Sequence, residues 1–194
     1  FLKVKPEDKS LREVLIMDTI VQFIEATFYL WLIYSLSSLN NKIITSKRYL
    51  DWVITTPIML ITTVIYMKYN TYKKSKDTDK LKKLNLKNFI SENMNDMIKL
   101  VGFNFLMLVF GFLGETKRMP LYISTIIGFV FFALNFNLIY NNYVVNTTQV
   151  NMNIFNFLLV VWGLYGVAAV LPVIPKNVMY NLLDIVSKNF YGLY

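Results

Sequence analysis

The sequence predicts an all-α membrane protein built as a helical bundle. Three observations lead there. Apolar runs of near membrane-spanning length recur along the chain. Of its 194 residues, 55% are hydrophobic, and the charged residues cluster between the runs. Runs approaching 20 apolar residues read as spanning helices, whereas a soluble domain would spread its charges over a surface.

Six runs qualify, at 14–36, 50–67, 100–113, 121–140, 154–174 and 178–194. The first follows a basic segment with Lys3, Lys5, Lys9 and Arg12, and carries Asp18, Gln22 and Glu25 at helical spacing. Arg48 and Asp51 stand at the head of the second. A Lys-rich loop at 69–88 follows it, and within that loop KLKKLNLKNF (80–89) predicts a short amphipathic helix at the membrane surface. A short turn with Lys117 and Arg118 joins the third and fourth runs. Polar residues 141–151 link the fourth to the fifth, and the sixth holds Asp184 and Lys188.

The net charge of +8 follows topology and does not suggest nucleic acid. The basic N-terminal segment and the Lys-rich loop fall on one side of an even number of crossings. Together they hold twelve Lys and Arg residues, against five on the other side (Lys42, Lys47, Lys117, Arg118 and Lys176). The positive-inside rule makes the Lys-rich side cytoplasmic. The chain has no cysteine and no histidine, so thiolate metal sites, disulfides and histidine acid–base chemistry are excluded. There is no repeat, no Gly-rich phosphate loop and no cleavable signal pattern.

Six charged residues lie inside the runs or at their heads: Asp18, Glu25, Arg48, Asp51, Asp184 and Lys188. A charge at the bilayer centre costs ~2.5–3.5 kcal/mol on insertion scales, so such groups are expected to be paired and to mark function. Arg48 and Asp51 are three apart, and Asp184 and Lys188 four apart, so each pair shares a helix face. Two carboxylates around a lysine and an arginine form a counterion network. A buried lysine is also a candidate nucleophile for a Schiff base.

These residues reach a family. RYLDWVITTP (48–57) followed by LDIVSK (183–188) resembles the third- and seventh-helix motifs of the microbial (type 1) rhodopsins. LVGFNFLMLVFG (100–111), STIIGF (124–129) and WGLY (162–165) resemble the fourth, fifth and sixth helices. The resemblance runs from Pro6 onward. It implies a seven-transmembrane-helix retinal-binding bundle of which helices two to seven are visible, so that 1–194 is a single rhodopsin domain lacking the first helix. It implies all-trans retinal on Lys188 as a Schiff base, with Asp51, Asp184 and Arg48 as the counterion group. It implies a pocket of Trp52, Thr56, Met59, Asn104, Met107, Gly111, Phe129, Trp162 and Tyr165, with Thr56 and Asn104 linking the third and fourth helices. Gly166 and Ala169 replace a proline and a tryptophan of bacteriorhodopsin, which implies a looser pocket end.

The same resemblance separates possible activities, none of them enzymatic. The usual proton-donor position is Thr62, and VIPKNVMYN (173–181) lacks a release carboxylate. Asp18, Gln22 and Glu25 form one stripe, with the acids two turns or ~10 Å apart. Asn181 and Asn189 flank Asp184 and Lys188. Acid, amide, acid on the second helix and N-x-x-D-x-x-x-K-N on the seventh resemble the group-one viral rhodopsins. This implies a light-gated cation channel with a path along Asp18, Gln22, Glu25, Asn181 and Asn189, and monovalent cations or protons and membrane lipids as partners. A homo-oligomer is compatible with it. The alternative is a light-driven outward proton pump with a second-helix carboxylate as donor; a photosensor is a third reading.

Overall fold

The computed structural model describes residues 8–35 and 41–190, and these are helices and the turns between them. α1 (Lys9–Ser35) and α2 (Asn41–Lys74) cover the first two predicted spans. α2 has 34 residues and is about 50 Å long. It starts well before the apolar run, which places Arg48 two turns inside the helix. Pro57 sits in its interior and removes one backbone donor. Beside it, the Thr55 and Thr56 hydroxyls donate to the carbonyls of Asp51 and Trp52. Lys73 and Lys74 close α2, where cations complement the helix dipole.

The Lys-rich loop folds into α3 (Thr78–Lys83) and α4 (Leu86–Glu92). Asp77 caps α3 by accepting from the Lys80 N–H, and Asn85 caps α4 by accepting from Asn88. Glu13 of α1 accepts from the Leu86 N–H at 2.6 Å, tying the loop to the bundle. The amphipathic expectation for 80–89 is met in pattern, with a different partner. Leu84 and Phe89 are buried against the protein core, and Lys80, Lys82, Lys83 and Lys87 are exposed. Packing on the bundle already covers the apolar side that a membrane surface would have taken.

α5 (Met94–Glu115) and α6 (Leu121–Ile139) form an antiparallel pair joined by a tight turn in which Lys117 takes a φ of 58°. α7 (Gln149–Ala169) and α8 (Val173–Asp184) complete the bundle. The described residues hold five helices long and apolar enough to span a membrane. The sixth predicted run holds α8, of 12 residues, and a π-helical segment, Ile185–Phe190, which carries Lys188; it is not among those five.

The polar stretch 141–151 is mostly helix, where a link was expected. α6 continues as a π-helical segment, Tyr140–Val144, and α7 begins at Gln149 with Thr148 as its N-cap. Asn151 is fully buried. Its amide nitrogen lies 2.9 Å from the Met67 carbonyl, 3.2 Å from the Tyr143 carbonyl, and 3.2 and 3.1 Å from the Thr71 and Thr147 hydroxyls. A polar cluster rich in asparagine reads as a loop in sequence. Here Asn151 finds its partners on α2 and in the turn before α7, while Asn141 and Asn142 bond to Asn137 and Asp96, so helix extends from both sides and only 145–148 turn.

Replacing Asn151 with leucine should remove this junction and leave several acceptors dry. The expected loss is about 1–3 kcal/mol, read as a lower midpoint of unfolding in detergent micelles.

Candidate functional site

Lys188 is buried at 3% exposure, and three helices supply acids to it. Asp51 of α2 makes the shortest contact with its Nζ. Asp184, one turn earlier on α8, lies 3.6 Å away, and Glu25 of α1 lies 3.8 Å away. One ammonium thus faces three carboxylates. Among the described residues, neither Asp51 Oδ1 nor Glu25 Oε1 finds a hydrogen-bond partner.

Asp184 is held differently. Its Oδ2 accepts from Tyr29 at 2.7 Å and from Arg48 at 3.2 Å. Its Oδ1 accepts from Trp52 Nε1 at 3.2 Å and from Tyr165 at 2.7 Å. Arg48 is itself fully buried. It also donates to Asn181, to Asn177 at 3.5 Å and to the Tyr29 hydroxyl at 3.0 Å. A guanidinium with this many acceptors is locked in place, so the option of reaching out to a membrane interface does not arise for Arg48.

The structure brings the predicted residues together with some changes of company. Asp51, Asp184 and Arg48 meet around Lys188 as expected. Glu25, read as part of an ion path, is also a direct neighbour of the lysine. Asn181, read as lining the same path, is engaged by Arg48 and lies 3.3 Å from the Tyr29 hydroxyl. Gln22 is half-buried on the stripe between the two acids, and Asp18 faces the Thr62 hydroxyl. The Asn189 side chain lies outside the described residues. Sequence reasoning missed Tyr29, Asn177 and Ser187. Tyr29 continues the Asp18, Gln22, Glu25 stripe by one turn, and Asn177 lies two turns before Asp184. Those spacings were the available signal. Ser187 lies 2.9 Å from the Tyr165 hydroxyl.

A cavity opens from Lys188 between α2, α5, α6 and α7. Trp52, Thr56, Met59, Met107, Gly111, Phe129, Trp162 and Tyr165 all line it. Trp52 stands edge-on to Tyr165 and Tyr180, at 5.4 and 5.0 Å between ring centroids. Asn104 does not line it. That side chain donates to Thr56 Oγ1 at 2.8 Å and so joins α5 to α2 at the cavity wall. The pocket end is not looser for having Gly166. A Cβ there would collide with the Phe129 ring, so an aromatic from α6 refills the space. Gly111 does the same for the Tyr49 ring. The lining is flat aromatic and soft thioether surface, with Lys188 as the amine on its wall. That set suits a conjugated apolar aldehyde, so the residues present fit retinal.

The family model described as bacteriorhodopsin-like protein matches residues 1–194. Among solved structures, viral rhodopsin OLPVRII is similar at 29% identity and a TM-score of 0.82, over 100% of this chain and 83% of that one. A blue light-absorbing proteorhodopsin from Med12 shares the fold at 20% identity and a TM-score of 0.69, over 99% of this chain and 81% of that one. No curated protein matches.

The four donors on Asp184 make it the anchor of the site. Replacing Asp184 with alanine strands a buried guanidinium and should cost about 3–5 kcal/mol. The Tyr29→Phe change removes one hydroxyl and should cost about 1–2 kcal/mol. Comparing the unfolding midpoints of the two variants checks that order.

Proposed function

The chain belongs to the bacteriorhodopsin-like proteins, the microbial (type 1) rhodopsins, and from that premise we propose that it is a light-gated cation channel of viral origin. The observation that carries this reading is the acidic stripe of α1. Glu25 is buried beside Lys188, Gln22 follows, and Asp18 lies two turns away toward the Lys-rich end. Carboxylates along one helix attract cations and repel anions. All-trans retinal, bound through Lys188, supplies the light-absorbing polyene and the change of shape on illumination.

The protein's own residues do the rest. In the dark, the cation at Lys188 Nζ and its three carboxylates hold α1, α2 and α8 together. Asp184 has its oxygens taken by four donors, whereas Asp51 keeps one oxygen free. Glu25 also has a free oxygen but lies farther from the lysine, so Asp51, which makes the shortest contact, accepts the proton that leaves Lys188 Nζ. Loss of that charge pair frees Glu25, the central constriction, and water joins the polar groups of α1. Asp18 is the inner constriction, on the side of the Lys-rich loop, which is cytoplasmic in this reading.

One observation favours a second reading, an outward proton pump. Asp18 faces Thr62, the position where a pump carries its donor. An acid across the interface could serve from the neighbouring helix. In that case the Glu25→Gln or Asp18→Asn change slows proton return to Lys188, and azide restores it.

Two measurements test these assignments. Replacing Lys188 with alanine should abolish the visible absorbance that forms on adding retinal, and full absorbance in that variant would refute the attachment site. Patch-clamp recording under light separates channel from pump. A channel current reverses with the sodium or potassium gradient, and Glu25→Gln should shift its reversal potential or amplitude while the chromophore still forms. A current that stays outward at every voltage and gradient identifies the pump.

A further inference from the structure

Lys176 reads in sequence as a basic residue of an outer loop. The structure buries it instead. It occupies the first turn of α8, and its Nζ lies 2.8 Å from Glu115 Oε2, at the last residue of α5. The two side chains are 7% and 8% exposed. The pair lies at the end of the bundle opposite the Lys-rich loop, and the proton and ion chemistry around Lys188 makes no use of it.

Its position gives it a role. Glu115 and Leu121 line the retinal cavity, and both also line a second cavity, formed by the α5–α6 turn with Val173 and Lys176. Lys117 and Arg118, both exposed, belong to the second cavity alone. The second cavity is therefore a vestibule toward water, and Glu115 and Leu121 are the wall it shares with the chromophore cavity. The backbone behind that wall has no slack. A Cβ on Gly114 would collide with the Ser124 side chain. The Glu115 and Leu121 side chains stand between the two cavities, and the bond to Lys176 holds Glu115 in place. A buried pair of this kind resists opening, because separating it leaves an uncompensated charge.

We infer that the Glu115–Lys176 ion pair is the latch of a gated passage between the outer aqueous face and the retinal cavity, admitting water and small hydrophilic solutes when it opens. The test uses the full chain in lipid nanodiscs, with two readouts. The first is the rate at which hydroxylamine bleaches the retinal-loaded protein in the dark. This rests on Lys188 as the retinal-bearing residue, and not on the channel reading. The second needs no retinal. The chain has no cysteine, so a Met107→Cys substitution places one thiol on the cavity wall, open to a charged methanethiosulfonate reagent.

Glu115→Gln, Lys176→Met and Leu121→Ala should each speed both reactions about tenfold. The Leu121→Ala variant leaves the ion pair intact, so it remains decisive even where a broken pair impairs folding. The exchanged pair, Glu115→Lys with Lys176→Glu, should return both rates toward those of the parent. Thiol labelling at the parent rate in the Glu115→Gln and Leu121→Ala backgrounds overturns the latch, as does an exchanged pair that reacts as fast as the single variants. Should retinal fail to attach at Lys188, the thiol-labelling rates alone still support or overturn the latch.

Discussion

An ammonium group buried inside a membrane bundle has to be neutralised where it stands. Lys188 meets that constraint with acids from α1, α2 and α8, and much of the central structure follows from it. Three carboxylates around one lysine would repel one another, so a second cation is needed. Arg48 supplies it, and its extra donors recruit Tyr29, Asn177 and Asn181. The result is a polar core surrounded by apolar helices, in which almost every member is shared between two elements. Such a network specifies how the helices sit, because a half-satisfied version is worse than none.

The cavity beside that core depends on a different rule. Its walls are aromatic, and aromatic rings need room. Glycines at 111 and 166 provide it by letting Tyr49 and Phe129 lie where side chains would otherwise stand. Trp52 joins the two systems. Its ring packs among Tyr49, Tyr165 and Tyr180, while its indole N–H donates to Asp184. A change of shape in the cavity therefore reaches the charge network through one side chain as well as through Lys188.

The ion pairs at the two ends of the cavity differ in kind. Around Lys188 the acids outnumber the lysine, and two carboxylate oxygens are unpartnered among the described residues. At Glu115 and Lys176 one acid meets one base in direct contact, which favours a fixed closure.

The sequence by itself determined an all-α, membrane-type fold and which charged residues needed partners. Apolar runs of membrane length admit only helices there, and Arg48, Asp51, Asp184 and Lys188 are costly enough in such runs to announce their pairing. The residues that line the cavity on α2, α5, α6 and α7 were legible only through the resemblance to rhodopsin motifs, and that resemblance also pointed to Asn104, which stands behind the wall. Only the tertiary structure decided who meets whom. Tyr29 gave only a faint signal, its place one turn beyond Glu25 on the polar stripe, because a tyrosine in an apolar run is ordinary until Arg48 and Asp184 converge on its hydroxyl. Lys176 looked like a loop cation because Glu115, its partner, is 61 residues away in the chain. The stretch 141–151 read as a link because asparagine prefers loops; the link shortens to 145–148, and Asn151 joins the helix because α2 offers it partners. In each case a polar group's fate was set by a neighbour distant in sequence, and burial changed its preferred environment from water to that neighbour.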